Sequence, residues 1–336
     1  MRALFFLTLL LAGQASAVEV LTTVKPLQLI ANAITQGGQP AELLLKPGTS
    51  PHDYALKPSD LRRIQGADLV IWVGPDLEGF LVPLLANRNN SLALMEQLPI
   101  EAHKEHDNDE HHDEHAHHEE HEQHDEHEHH DEHEHHDRDA HDNGKIVITQ
   151  HEDQDDHHGH DHGSRDPHVW LDPHHGLHIA RLIAGRLSEL DPENLERYQH
   201  NLALFESKLR DTDNRVAERL APARKKGYFV FHDAYGYWED HYRIPALGYF
   251  TVSPERAPGA QTVARIHKAL KEASAECVFA EPQFRPAVVN AVVRDTQARV
   301  AVLDPLAGEI QNGPDGYFEF MLKLADDMAV CLLNER

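Results

Sequence analysis

"SDLRRIQGADLVIWVGPD", residues 59–76, decides the fold class. Ser59 and Asp60 are helix-start residues, Leu61 and Ile64 make a helical stripe, and the apolar run Asp68–Val73 is closed by Gly74-Pro75. A helix leading straight into a buried-type strand is the pattern of parallel strands joined by crossover helices. A short apolar run, "AELLL" (41–45), precedes it. The same alternation returns in "GYFVF" (227–231), "AECVFAEP" (275–282) and "ARVAVLDPL" (298–306), with helical patterns over 260–273 and 286–296 between them. The sequence therefore predicts two α/β lobes, residues 18–190 and 222–336, each a parallel sheet flanked by helices.

Between the lobes lies "DPENLERYQHNLALFESKLRDTDNRVAERLAP" (191–222). Asp191 is a natural N-cap, Pro192 suits a first helical turn, and Pro222 stops the run. Leu195, Leu202, Leu209 and Val216 recur every seven residues, with Tyr198 and Phe205 in the same stripe. A connecting helix over 191–221, roughly 43 Å long from Pro192 to Leu220, would act as a stiff spine. The alternative is a helix hairpin broken near Asp211–Asn214.

Charge is concentrated in one place. Residues 103–162 hold 21 of the 30 histidines and 23 of the 57 acidic residues against three basic ones, and so account for most of the formal charge of −26. Strong acidity disfavours nucleic acid, whose phosphates need clustered Lys and Arg, and favours cations. The tract contains "DEHEHH" twice, at 125–130 and 131–136, and lacks the apolar residues that would offset ordering entropy. It interrupts the first lobe, and most of it is expected to be disordered. "KIVIT" (145–149) is the exception, either a short strand or a scar of the insertion.

The N-terminus, "MRALFFLTLLLAGQASAVEV", has an early Arg, a short apolar run and small residues Ala15-Ser16-Ala17. This is the pattern of a signal peptide over 1–17, cut before Val18. The run is shorter than the ~20 residues that span a bilayer, and no direct membrane anchor is expected. Two cysteines remain, Cys277 and Cys331. In an oxidising compartment a pair suggests a disulfide; two separate buried thiols are the alternative.

Four stretches place a ligand-type side chain after a strand or in a Pro-bounded loop. They are "KPGTSPHDYALKPSD" with His52, "RDPHVWLDP" with His168, "GYFVFHDAYGYW" with His232, and "ARVAVLDPL" with Asp304. In open α/β sheets ligands gather beyond the carboxyl ends of parallel strands, so residues from four separate elements can converge. Each also has a plain reading as a surface or turn residue, and Asp304-Pro305 can simply open a turn. Asp233 and Tyr237 are candidates to orient His232. His174, His175 and His178 read as surface positions, while His241 and His267 have no partner visible in sequence. No HExxH, CxxC or P-loop pattern occurs, so no enzyme class is indicated.

"HDYALKPSDLRRIQGADLVIWVGP" (52–75), "PHVWLDP" (167–173), "GYFVFHDAYGYW" (227–238) and "CVFAEPQFRPAVV" (277–289) closely resemble the ZnuA family, the zinc-binding periplasmic component of bacterial ABC importers. The resemblance covers nearly the whole chain outside 1–17 and 103–162. It implies two α/β lobes, a long connecting helix and one metal site in the cleft between the lobes. On this resemblance His52, His168 and His232 match the family's three histidines, Glu281 and Asp304 match carboxylates near the site, and Cys277 with Cys331 matches a family disulfide. Some members carry a Glu before the first histidine, where this chain has Pro51, which leaves the fourth position to Asp304 or water. The implied partner is a membrane permease, the implied location the periplasm, and the expected state a monomer.

Three imidazoles suit Zn²⁺, whereas Mn²⁺ prefers oxygen-rich sites; a manganese carrier, a zinc buffer and a zinc hydrolase using Glu281 as base are the alternatives. The histidine-rich tract has donors but no imposed geometry. Its His111, His112, His115, His117, His118, His121, His124, His127, His129, His130, His133, His135 and His136 are expected to form weak, exchanging zinc sites that feed the cleft.

Overall fold

The first sheet is built from very short parallel strands, and helices cover the apolar surface that such strands cannot bury alone. Its elements are β1 (Val20–Thr22), α1 (Lys25–Ile34), β2 (Glu42–Leu43), α2 (Pro58–Gly66), β3 (Leu69–Trp72), α3 (Val82–Leu85) and β4 (Ser91–Ala93), with strand order β2-β1-β3-β4. All pairings are parallel, and β3 is buried along its whole length, as a strand covered on both faces must be. Helix α2 starts earlier than Ser59: Pro58 takes the first helical position, and the Asp60 carboxylate accepts the Lys57 backbone N–H at 2.9 Å. The computed structural model describes residues 17–99, 146–147, 165–251, 260–273, 275–283 and 286–335. The leader up to residue 16 and the tract histidines His111 to His136 lie outside them.

The second sheet has five parallel strands in the order β5-β7-β6-β8-β9. They are β5 (Ile146–Val147), β6 (Tyr228–His232), β7 (Gly248–Thr251), β8 (Cys277–Ala280) and β9 (Arg299–Val302). Helices α6 (Gly236–Tyr242), α7 (Ala260–Glu272) and α8 (Pro286–Val293) connect the last four strands, and α9 (Gly316–Leu332) closes the chain. One expectation is corrected here. "KIVIT" does not belong to the first lobe: Ile146 and Val147 pair with Gly248 and Tyr249 at the rim of the second sheet. The chain thus reaches the second sheet before returning to the first lobe. A β-branched pair is what an open parallel edge can recruit.

Helix α4 (Pro173–Leu190) leads through a 3-10 turn at Pro192–Asn194 into α5 (Leu195–Leu220), which runs unbroken through Asp211–Asn214. Its 26 residues give a rod of about 39 Å at 1.5 Å per residue. Tyr198, Phe205, Leu209, Val216 and Leu220 are buried along one stripe, whereas Leu195 is exposed. The rod is packed on α1, α4 and α9. Because α9 returns from the second sheet to touch α1, one hydrophobic cluster joins Leu29 and Ile71 of the first lobe to Val230, Phe279 and Leu324 of the second. Cys277 on β8 and Cys331 on α9 form a disulfide, which ties that returning helix to the second sheet.

Candidate metal centre

Three separately positioned imidazoles meet between the lobes. His52 stands in the Pro-rich loop between β2 and α2, its backbone N–H donating to Ser50 Oγ at 3.3 Å. His168 precedes the 3-10 turn Val169–Leu171, held by the preceding Pro167. His232 is the last residue of β6, at the carboxyl end of the sheet, opposite Thr251 of β7. One nitrogen from each ring lies within 4.8 Å of one from each of the others. The ring centroids are 4.9 Å apart for His168–His232, 5.1 Å for His52–His232 and 5.5 Å for His52–His168. Among the described residues this is the only group of three or more His, Cys, Asp or Glu so arranged.

The surroundings bury the rings and act on them unequally. His168 and His232 are each 3% exposed. With them and His52, the pocket is lined by Ser50, Pro51, Glu281, Gln283, Pro305 and Leu306 and encloses about 20 Å³, room for a single water-sized occupant. Burial, with the charge of the other two imidazoles added, pushes the His52 pKa down to about 3, so that ring is a neutral donor over the whole neutral range. On His232 burial also opposes charge, but the Glu281 carboxylate 3.5 Å from Nδ1, with Asp233 and Asp166 behind it, outweighs burial and holds the pKa above the ordinary histidine value. Glu281 is itself 5% exposed, and its carboxyl is raised by that burial despite the opposing pull of His232. The two form one buried proton-holding pair.

Asp166 was not singled out in the sequence, yet it is the residue that aims His168. Its Oδ1 accepts the His168 backbone N–H at 2.9 Å and lies 2.7 Å from ring Nδ1. That contact leaves Nε2 for the pocket, the arrangement by which carboxylates orient metal-binding imidazoles. Tyr237 supports this arm as well: its hydroxyl donates to the Asp166 carbonyl at 3.1 Å. Farther back, Trp170 Nε1 donates to the Pro305 carbonyl and Tyr317 donates to the Trp170 carbonyl, each at 2.7 Å. A Cβ on Gly176 would run into the Tyr317 hydroxyl, so only glycine lets α4 approach this closely.

Asp304 is not part of the close group formed by the three rings. Its Oδ1 accepts the Leu306 N–H at 3.0 Å and the Gln283 Nε2–H at 3.3 Å, and its Oδ2 accepts the Gly308 N–H at 2.7 Å. An Asp before Pro folds its own loop in this manner, and each of its oxygens accepts an N–H from that loop. Glu281 is the carboxylate that borders the pocket instead. Asp233 acts on His232 through its charge, and Cys277 and Cys331 are bonded to one another at the β8–α9 contact. His241 and His267, without visible partners in sequence, contact Asp213 Oδ1 at 2.8 Å and the Val292 carbonyl at 3.0 Å.

The family model described as ZnuA, zinc-uptake complex component A, periplasmic, matches residues 20–331. A high-affinity zinc uptake system protein ZnuA of Yersinia pestis is 42% identical over 334 residues, covering 98% of this chain and 97% of the relative. One of the same description from Haemophilus influenzae is 40% identical, covering 96% of each chain. A crystal structure of ZnuA overlays with a TM-score of 0.66 at 22% identity, covering 93% of this chain and all of that one; at that identity the likeness concerns the fold.

Proposed function

The chain belongs to the ZnuA family of periplasmic zinc-uptake components, and from that premise we propose that it captures Zn²⁺ on His52, His168 and His232 and passes it to the membrane permease of an ABC importer. The observation that carries this reading is the meeting of three imidazoles, from three distant parts of the chain, with ligand atoms within 4.8 Å of one another. Three nitrogen donors and a water make a tetrahedral zinc shell, with Zn–N distances of about 2.0–2.1 Å. Manganese would call for more oxygen. Asp304 has both oxygens engaged elsewhere, and Glu281 acts through His232 Nδ1, so water completes the shell.

Cleavage after Ala17 delivers the protein to the periplasm as a monomer, and the acidic histidine-rich tract collects zinc weakly and raises its concentration at the cleft. Relatives over nearly the full length are described as zinc-uptake proteins, which supports transport over hydrolysis.

Calorimetric zinc titration tests the cleft. The intact protein is expected to bind one tight equivalent plus weak ones, His232→Ala to lose the tight equivalent, and a chain lacking 103–144 to keep it. Tight binding that survives His232→Ala, or vanishes with the tract, would overturn the assignment. Failure of the intact protein to restore growth of a zinc-limited strain lacking its own carrier would leave a buffer in place of a carrier.

A further inference from the structure

A second pair of imidazoles lies outside the cleft, where α4, α5 and α6 meet. His174 is the second residue of α4 and is exposed, and half-buried His241 stands in the last turn of α6. Their ring centroids are 5.0 Å apart, within the 4.9 to 5.5 Å spread of the three cleft rings. His241 Nε2 sits 2.8 Å from Asp213 Oδ1 on the spine helix, much as Asp166 sits 2.7 Å from His168 Nδ1 in the cleft. The same unit, a carboxylate-anchored imidazole facing another imidazole, thus occurs twice. An imidazole whose N–H is held by a carboxylate is a better and better-aimed metal donor through its other nitrogen.

The surrounding field tolerates a cation. The amino end of α4 is unfavourable to positive charge, but the carboxyl end of α6 is favourable, and Asp172 and Asp213 both act electrostatically on His241. The two edges of the site also belong to different parts of the fold, since α4 precedes the spine and α6 follows it. Directly behind them the Tyr237 ring of α6 meets His175 of α4 at 4.8 Å while its hydroxyl holds the Asp166 carbonyl.

We propose that His174 and His241 form a second divalent transition-metal site, completed by water and positioned by Asp213, in which a bound ion ties α4 to α6 across the lobes. His241 coordinates through Nδ1 and keeps Nε2–H on Asp213. The ion is zinc or another metal that accepts imidazole nitrogen, and it is held less tightly than a three-histidine site because two protein donors replace three. Its position behind the His168 arm makes it a clasp on the arrangement that assembles the cleft.

Crystals of the full chain soaked in zinc, with anomalous scattering measured at the zinc edge, test this. The expected result is a peak about 2.0–2.1 Å from one nitrogen of each ring, lost in His174→Ala. Asp213→Asn should weaken zinc affinity at this position about 10-fold or more, read as lower occupancy across a soaking series, with the cleft peak unchanged in both variants. Rings left in bare edge contact beside a filled cleft would overturn the proposal, as would a peak that persists in His174→Ala. A filled outer position beside an empty cleft would support this site and sink the cleft assignment, so the two failures read apart.

Discussion

Asp166 shows what one side chain does for a candidate ligand. By holding both the backbone and the ring of His168, it removes the rotamer freedom that the metal would otherwise have to freeze. Asp166→Asn should therefore weaken zinc binding by roughly 10- to 100-fold without unfolding the protein, as read by competition with a chromogenic chelator. The convergence of the three histidines was legible in the sequence because each follows a strand or sits beside proline. Asp166 was not, because an acidic residue two places before a histidine looks the same whether it aims a ring or starts a turn. Asp304 is ambiguous in another way: strand-then-Asp is equally a ligand and a turn former, and the loop's own N–H groups donate to it. Proton linkage is a second residue-scale test. The His232 pKa lies above its ordinary value of about 6.5, held there by Glu281 against burial, and zinc needs the neutral ring. In the metal-free protein this proton stabilises the fold below the unfolded value, and the benefit is lost as pH rises through the folded one. Zinc affinity must run the other way, falling as pH drops through the raised folded-state value. Calorimetry near pH 7 in two buffers of different ionisation enthalpy should register proton release, reduced in Glu281→Gln. His52, down at about 3, contributes none.

At the scale of elements, the long helix followed from its seven-residue stripe, and the strands ending at His232 and near Glu281 and Asp304 from their β-branched and aromatic runs. β1, β4 and β7 did not, and β5 was left between a strand and a scar. β1, an inner strand of the first sheet, is three residues long directly behind the leader, too short for any period to register. β5 has two residues and owes its assignment to a partner a hundred positions away. The spine also carries a role no pattern announced: Asn201 is 5% exposed and donates to the Ile34 and Gln36 carbonyls at 2.8 and 2.9 Å, satisfying the carboxyl end of α1. Asn201→Ala should cost about 1–3 kcal/mol, seen as a lower urea midpoint at unchanged slope. The disulfide closes 54 residues of sequence separation, so replacing both cysteines by alanine should lower unfolding free energy by roughly 2–5 kcal/mol. The same urea experiment reads it.

For the whole molecule, the decisive feature is that the lobes share a core. A spine packed on α1, α4 and α9, and a last helix that returns to α1, leave little apolar surface free to slide. Small-angle X-ray scattering from zinc-free and zinc-loaded protein lacking 103–144 should therefore superimpose closely. A closure that shortened the molecule visibly would refute the stiff-spine account. Sequence could suggest rigidity from the length of α5, but not the shared core, because contacts between α9 and α1 join opposite ends of the chain. The small strand β5 has a practical corollary for anyone trimming the histidine-rich region. A cut that ends at residue 144 leaves Ile146 and Val147 shielding β7, whereas one carried on to 162 strips the sheet's margin and bares unpaired amides and carbonyls, an invitation to self-association. Clumping in the longer truncation would then report a raw sheet border, and nothing about zinc.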